Sequence, residues 1–140
     1  VAYPRISPAV LAVVYRGDRI LLARNGRFKG GIASLLAGFA EPGESLEACV
    51  AREVREEVGI EIGPLRFLGS QPWPFPDSLM IGFACDWVSG ELSPDGVEIV
   101  EAGWYGPSDH PPLPAPGSLS RTLIDAAFAG ITAAASRGDA

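Results

Sequence analysis

Seven acidic residues fall between positions 41 and 61: Glu41, Glu44, Glu47, Glu53, Glu56, Glu57 and Glu61. Only Arg52 and Arg55 oppose them, so this segment carries −5 of the chain's net charge of −6. Carboxylates at this density repel phosphates and nucleic acid unless divalent cations sit among them, and they are preferred ligands of magnesium and manganese. The spacing sharpens the point. A helix is predicted over 45–58, with Ser45 as N-cap and Gly59 as C-terminal stop. At about 100° per residue, Leu46, Val50 and Val54 share one arc with Cys49 on its flank, and Glu53 and Glu57 project into that arc. Glu56 follows Glu53 by one turn, so the three acids form a single patch beside the core-facing side. Burying such like charges uncompensated costs roughly several kcal/mol or keeps some of them protonated. A patch neutralised by Arg52 and Arg55 is the alternative. Those arginines lie at least about 40° around the helix from Glu56, which favours an external cation.

The rest of the chain must hold that helix in place. At 140 residues the chain is expected to form one domain over 1–140, because two halves would each bury too little apolar surface. Hydrophobic residues at 47% and charged residues at 20% exclude a disordered or supercharged chain. Val10–Val14 and Ile20–Ala23 read as a hairpin around Arg16-Gly17-Asp18. Further strands are expected at 33–40, 65–68, 79–88 and 98–105. The five prolines between Pro107 and Pro116 forbid regular helix or central strand, so that stretch reads as a stiff surface connection. A second helix is expected over 118–135, with Gly130 as a weak point. Strands with two well-separated helices suggest a mixed sheet carrying helices on opposite faces.

Other classes are set aside on similar grounds. The longest apolar run, Ala9 to Tyr15, is far shorter than the roughly 20 residues that span a bilayer, and no leader precedes it, so no membrane partner is expected. Lysine occurs once, at Lys29, and no basic face with interleaved aromatics appears, which disfavours duplex DNA. Cys49 and Cys85 read as two reduced core thiols of a cytoplasmic protein rather than a zinc site or disulfide. His110, alone among prolines, reads as an exposed loop residue.

Residues 38 to 60, GFAEPGESLEACVAREVREEVGI, carry a specific pattern. Gly38, Glu44, Arg52, Glu53, Val54, Glu56, Glu57, Gly59 and Ile60 fill every fixed position of the signature of the Nudix hydrolases, which the chain resembles. The resemblance implies an α/β fold, the Nudix α/β/α sandwich with a mixed β-sheet. It also implies hydrolysis of a nucleoside diphosphate linked to another moiety, with Mg2+ or Mn2+ held by the glutamates. Carried over by position, Glu53 and Glu57 would be the main metal ligands and Glu56 would share an ion or polarise water. Arg52 would orient the cluster through a charge-assisted bond, and Gly38 and Gly59 would permit the loop geometry. Which glutamate acts as general base stays open.

Ten residues beyond that signature stands SQPWPFPDS, Ser70 to Ser78, similar to the motif of the NADH pyrophosphatase branch of the family. Alternating prolines with Trp73 and Phe75 are expected to form a rigid extended loop, the alternative being a core-packing strand edge, since proline at alternate positions forbids central-strand pairing. In that branch the segment Gln71, Pro72, Trp73, Pro74, Phe75, Pro76, Asp77 and Ser78 lines the dinucleotide pocket. By the same resemblance the carbonyl of Ala37 would contribute to a metal. Phe39 and Tyr3, the latter from its own chain or a partner subunit, would stack on adenine. Glu98 aligns with an additional acidic metal ligand, with Glu101 as its rival, and Ser120 would contact substrate through its backbone at a helix N-terminus suited to phosphate. Full members of the branch carry an N-terminal domain and a zinc ribbon just before the Tyr-Pro segment. This chain begins where that ribbon would end, so no zinc is expected in it.

The expected activity is therefore metal-dependent hydrolysis of the diphosphate of NADH or NAD, yielding nicotinamide mononucleotide and AMP in a possible homodimer. Removal of an NAD cap from RNA breaks the same bond in a longer substrate. The alternatives are a Nudix pyrophosphatase for ADP-ribose or a nucleotide sugar, and a non-catalytic sensor binding ADP-ribose or NAD.

Overall fold

The structure is a computed structural model that describes residues 6–27, 30–73 and 77–138. Its strands are β1 (Ser7–Arg16), β2 (Arg19–Asn25), β3 (Leu36–Phe39), β4 (Glu61–Ile62), β5 (Arg66–Trp73), β6 (Ser78–Ser89) and β7 (Ile99–Tyr105). Helix α1 (Leu46–Val58) follows β3, and α2 (Leu119–Ser136) follows β7. β1 and β6 pair in parallel at the centre, from Ser7 beside Ser78 to Tyr15 beside Asp86. β3 and then β2 pair antiparallel along the other edge of β1, and β7 extends the sheet from β2. β4 and β5 share the outer edge of β6.

Alternation along β1 assigns the two faces. Val10, Ala12 and Val14 join Val50, Val54 and Val58 of α1 in one core cluster. Leu11 and Val13 join Leu123, Ile124, Ala127 and Phe128 of α2 in the other. Each such fully buried aliphatic contributes about 1.5–3 kcal/mol, so the central strands are held from both sides. The helices do lie on opposite faces, as the pattern of elements suggested.

Local signals account for α1. The Ser45 hydroxyl accepts from the Ala48 N–H at 3.1 Å, and Gly59 closes the helix at φ 77°, donating to the Arg55 carbonyl. α2 starts the same way at Ser118, but runs through Gly130 without a break, since packing of Leu123 to Phe128 on the sheet outweighs one glycine. Cys49 and Cys85 are buried and unpaired, and burial pushes their thiols up to about 11 and about 12.

One expectation needs correction. Ser70–Trp73 is not an extended loop but the end of β5, with Pro72 opposite Leu79 and Trp73 opposite Ser78. Among the described residues β5 pairs only with β6, and an edge strand tolerates a proline because its N–H is not needed on the open side. The proline-rich segment before α2 lacks regular structure as expected, yet it is tied down. Pro112 accepts from the Ala33 N–H at 2.9 Å and Pro114 from Arg121 at 2.7 Å, while His110, though exposed, stacks on Phe128. No helix among the described residues is long and apolar enough to cross a membrane.

Candidate functional site

The acidic segment divides around Arg52, which projects from α1 toward the loop that precedes it. Its Nε and Nη2 donate to the two oxygens of Glu44 at 2.7 and 2.9 Å, a bidentate pair, and Nη2 also donates to the Phe39 carbonyl at 3.3 Å. Nη1 donates to Glu53 at 3.0 Å and to Glu56 at 3.2 Å. The expectation that the arginines lie too far around the helix thus fails for Arg52. Its long side chain bridges the angular gap, and one guanidinium hydrogen-bonds three carboxylates with a fourth, Glu41, at 3.7 Å. Arg55 conforms: it leaves the cluster to pair with Glu61 at 2.7 Å.

Glu57 is different. It is 4% exposed, its Oε2 has no hydrogen-bond partner, and no arginine is paired with it among the described residues. Burial, then the neighbouring carboxylates of Glu53 and Glu98, push its carboxyl up to about 9. Burial also raises Glu53, against the pull of Arg52. Glu44 goes the other way, held down at about 2 by its bond to Arg52 and by the Glu41 N–H. Gly38 on β3 explains how Glu53 fits: a Cβ there would lie 2.2 Å from the Glu53 carboxyl carbon and displace that carboxylate from where it stands.

An orphaned, buried carboxylate oxygen facing two further carboxylates is the donor chemistry that a magnesium or manganese ion satisfies, so the residues present fit such an ion. Among the described residues no three acidic, histidine or cysteine side chains already stand in a closed metal-holding arrangement; Glu53 and Glu56 are turned toward Arg52 instead. Of the rivals on or beside β7, Glu98 meets Glu57, whereas Glu101 pairs across the sheet with Arg24 at 3.2 Å.

On the other face lies a groove of about 690 Å³ lined by Ile32, Ser34, Trp73, Ser120 and the 114–118 segment. The Ser34 and Ser120 hydroxyls are hydrogen-bonded at 2.5 Å, and Trp73 is 42% exposed toward solvent. Gln71 is engaged within the fold: its Oε1 accepts from the Leu119 N–H at 2.8 Å and its Nε2 donates to the Gly117 carbonyl at 3.2 Å. It therefore clamps the start of α2 to β5. Ser78 is buried at the start of β6, Asp77 accepts from the Ser7 N–H through its carbonyl, and Pro72 is an exposed strand residue. Strand alternation turns Ala37 and the 58%-exposed Phe39 away from Glu53, to the face opposite Gly38. Tyr3, Pro74, Phe75 and Pro76 lie outside the described residues.

Sequence reasoning missed the role of Glu44, which it placed in the signature but not among the site residues. The eight-residue separation of Glu44 from Arg52 across a turn gave no helical periodicity to read. It also missed the anchoring role of Gln71, which depends on two segments far apart in the chain.

A family model described as NUDIX domain matches residues 5–125. The relative described as "NAD-capped RNA hydrolase NudC" from Pseudomonas aeruginosa is 56% identical over 123 residues, which cover 88% of this chain and 44% of the relative. A protein of the same description from Pseudomonas fluorescens is 54% identical over 124 residues, covering 89% and 45%. The chain thus spans less than half the length of these curated relatives. Among solved structures, an ADP-ribose pyrophosphatase from Streptococcus suis superposes with TM-score 0.71 at 24% identity, covering 89% of this chain and 91% of that one. A MutT NUDIX hydrolase from Burkholderia pseudomallei superposes with TM-score 0.72 at 22% identity, covering 87% and 98%. At these identities the two structures show a shared fold.

Proposed function

The chain belongs to the Nudix family, and from that premise we propose that it hydrolyses the diphosphate bond of NADH or NAD-type dinucleotides, including the NAD cap of RNA, with Mg2+ or Mn2+ as cofactor. The observation that carries this reading is Glu57, buried with an unpartnered oxygen and facing Glu53 and Glu98. The descriptions of the relatives at 54–56% identity support the NAD-type substrate.

Glu53, Glu57 and Glu98, with Glu56 and the Ala37 carbonyl at the margin, would hold the ion. When bound, it neutralises diphosphate oxygens and lowers the pKa of an attacking water. The chain's own residues do the rest. Arg52 holds Glu53 and Glu56 in fixed rotamers and is itself anchored by Glu44. Gly38 leaves the space through which the Glu53 carboxylate reaches the site. Trp73 and Ser120 flank a groove of a size suited to a nucleotide, and Phe39 offers an exposed ring for base stacking. Water adds to one phosphorus and the bridging P–O bond breaks: a free dinucleotide gives AMP and nicotinamide mononucleotide, reduced when NADH is the substrate, and a capped RNA gives nicotinamide mononucleotide and an RNA with a 5′-monophosphate.

The same reading takes residues 1–140 as one domain of a cytoplasmic homodimer, to which two buried free thiols are suited. Light scattering on the eluted protein checks the dimer. The activity is tested by AMP release from NADH, NAD and ADP-ribose, and by release of nicotinamide mononucleotide and a 5′-monophosphate RNA from a 5′-NAD-capped oligoribonucleotide, each with magnesium or manganese. Turnover of NADH or the capped RNA above ADP-ribose is the expected result. Absence of diphosphate cleavage in every NAD-type substrate with either ion would reject the proposal, and binding without turnover would favour a sensor.

A further inference from the structure

The segment between β6 and β7 folds back over the C-terminal end of α1. Ser93 N–H donates to the Val58 carbonyl at 2.8 Å and Asp95 N–H donates to the Glu57 carbonyl at 2.9 Å. These are among the last carbonyls of the helix, which have no partner within it. Gly90 permits the approach, because a Cβ there would lie 3.0 Å from the Gly59 carbonyl oxygen. The loop is thereby docked on the turn of α1 that carries Glu57.

Asp95 then shapes the loop from within. Its Oδ1 accepts from the N–H groups of Val97 at 3.0 Å and Ile99 at 2.9 Å, the two residues that bracket Glu98. Gly96, at φ 78°, donates to the Ile99 carbonyl at 2.9 Å and closes the same turn. One residue therefore binds the Glu57 backbone through its N–H and the backbone on both sides of Glu98 through its carboxylate. Glu98 is exposed and stands at the end of an irregular segment; nothing in β7 alone would bring its carboxylate to Glu57.

We propose that Asp95 is a positioning residue of the metal centre, joining the end of α1 to the turn that carries Glu98 so that Glu57 and Glu98 face one another before an ion binds. This inference rests on the hydrolase reading above and assigns a role to a residue that touches neither substrate nor ion.

The test uses the full chain and titrates Mn2+, following the spin-resonance signal of the free ion, with thermal unfolding of the metal-free protein measured alongside. Asp95→Ala is expected to weaken manganese binding by about tenfold or more. Asp95→Asn, whose amide oxygen can accept the same two bonds, is expected to stay within about twofold of wild type. In a Glu98→Gln background Asp95→Ala should add no further loss of affinity, because its effect passes through Glu98. Should Asp95→Ala fail to fold, Gly96→Ala strains the same turn without removing a carboxylate, and the same loss of affinity is expected. Unchanged manganese affinity in the folded variants, or equal losses with and without Glu98, would overturn the proposal even if the unfolding temperature falls. If these variants match wild type while Glu57→Gln loses the ion, this inference alone fails; if wild type itself binds no manganese, the hydrolase reading fails with it.

Discussion

Glu44 and Glu57 belong to one signature, thirteen positions apart, and their surroundings drive them in opposite directions. Glu44 receives both arms of a guanidinium and is held at about 2, whereas Glu57 meets burial and two carboxylates and is pushed up to about 9. The charge excess visible in the composition is therefore not uniform. On the loop side of α1 the Glu44 carboxylate is matched by the Arg52 guanidinium and serves as a rigid mount; the side facing β7 is left short of positive charge. Stability belongs to the first region, and the proposed affinity for a cation belongs to the second.

The sharpest way to break this contrast is to neutralise each carboxylate. Glu57→Gln is expected to lower NADH turnover by on the order of a hundredfold or more, while the metal-free protein unfolds at a temperature no lower than wild type, because a buried like-charge conflict has been removed. Glu44→Gln is expected to do the reverse in kind, lowering the unfolding temperature and affecting turnover less. Equal effects on both readouts would erase the distinction.

Gly38→Ala comes next. The added methyl group displaces the Glu53 carboxylate, and a loss of about 1–3 kcal/mol in denaturant unfolding is expected, together with weaker manganese binding in a calorimetric titration.

Acid–base behaviour separates the two regions without mutation. In the metal-free chain Glu57 loses its proton near 4.5 when unfolded but only at about 9 when folded. The folded state thus binds more protons across that window, and this contribution to stability falls as pH rises through it. Glu44 titrates at about 2 when folded against 4.5 unfolded, so its contribution is present above 4.5 and lost as pH falls toward 2. Unfolding temperatures measured from pH 2 to 9 should show both limbs. Glu57→Gln should flatten the alkaline one and Glu44→Gln the acid one.

The smallest effect is expected at Ser45→Ala, which removes the α1 N-cap at a cost of about 1 kcal/mol. It should shift the unfolding temperature while leaving manganese affinity close to wild type; a large loss of affinity would mean that the mount and the cation site are not separable.

Much of α1 was legible because its signals are local. Ser45 and Gly59 bound it, and its apolar arc and its i, i+3 and i+4 acids follow from helical geometry alone. Angular spacing misled at Arg52, since it locates Cα atoms and not the end of a long, flexible side chain. Proline alternation misled at Pro72, because the rule excludes central strands and β5 is an edge. The His110 stack on Phe128 had no local signal at all, since it joins a loop to a helix whose packing decides where that ring lies.

What the chain's letters determined unaided is an acidic helix with defined ends, its identity as a Nudix signature, and the apolar run that becomes β1. Each of these depends on residues close in sequence, where covalent geometry limits the conformations available. Only the tertiary structure decided which carboxylates are neutralised and which are not. That choice requires Arg52 to reach back to Glu44, Gly38 to make way for Glu53, and the loop at Asp95 to bring Glu98 beside Glu57. These encounters join distant segments, and the electrostatic energy of a charge depends on what stands beside it in space.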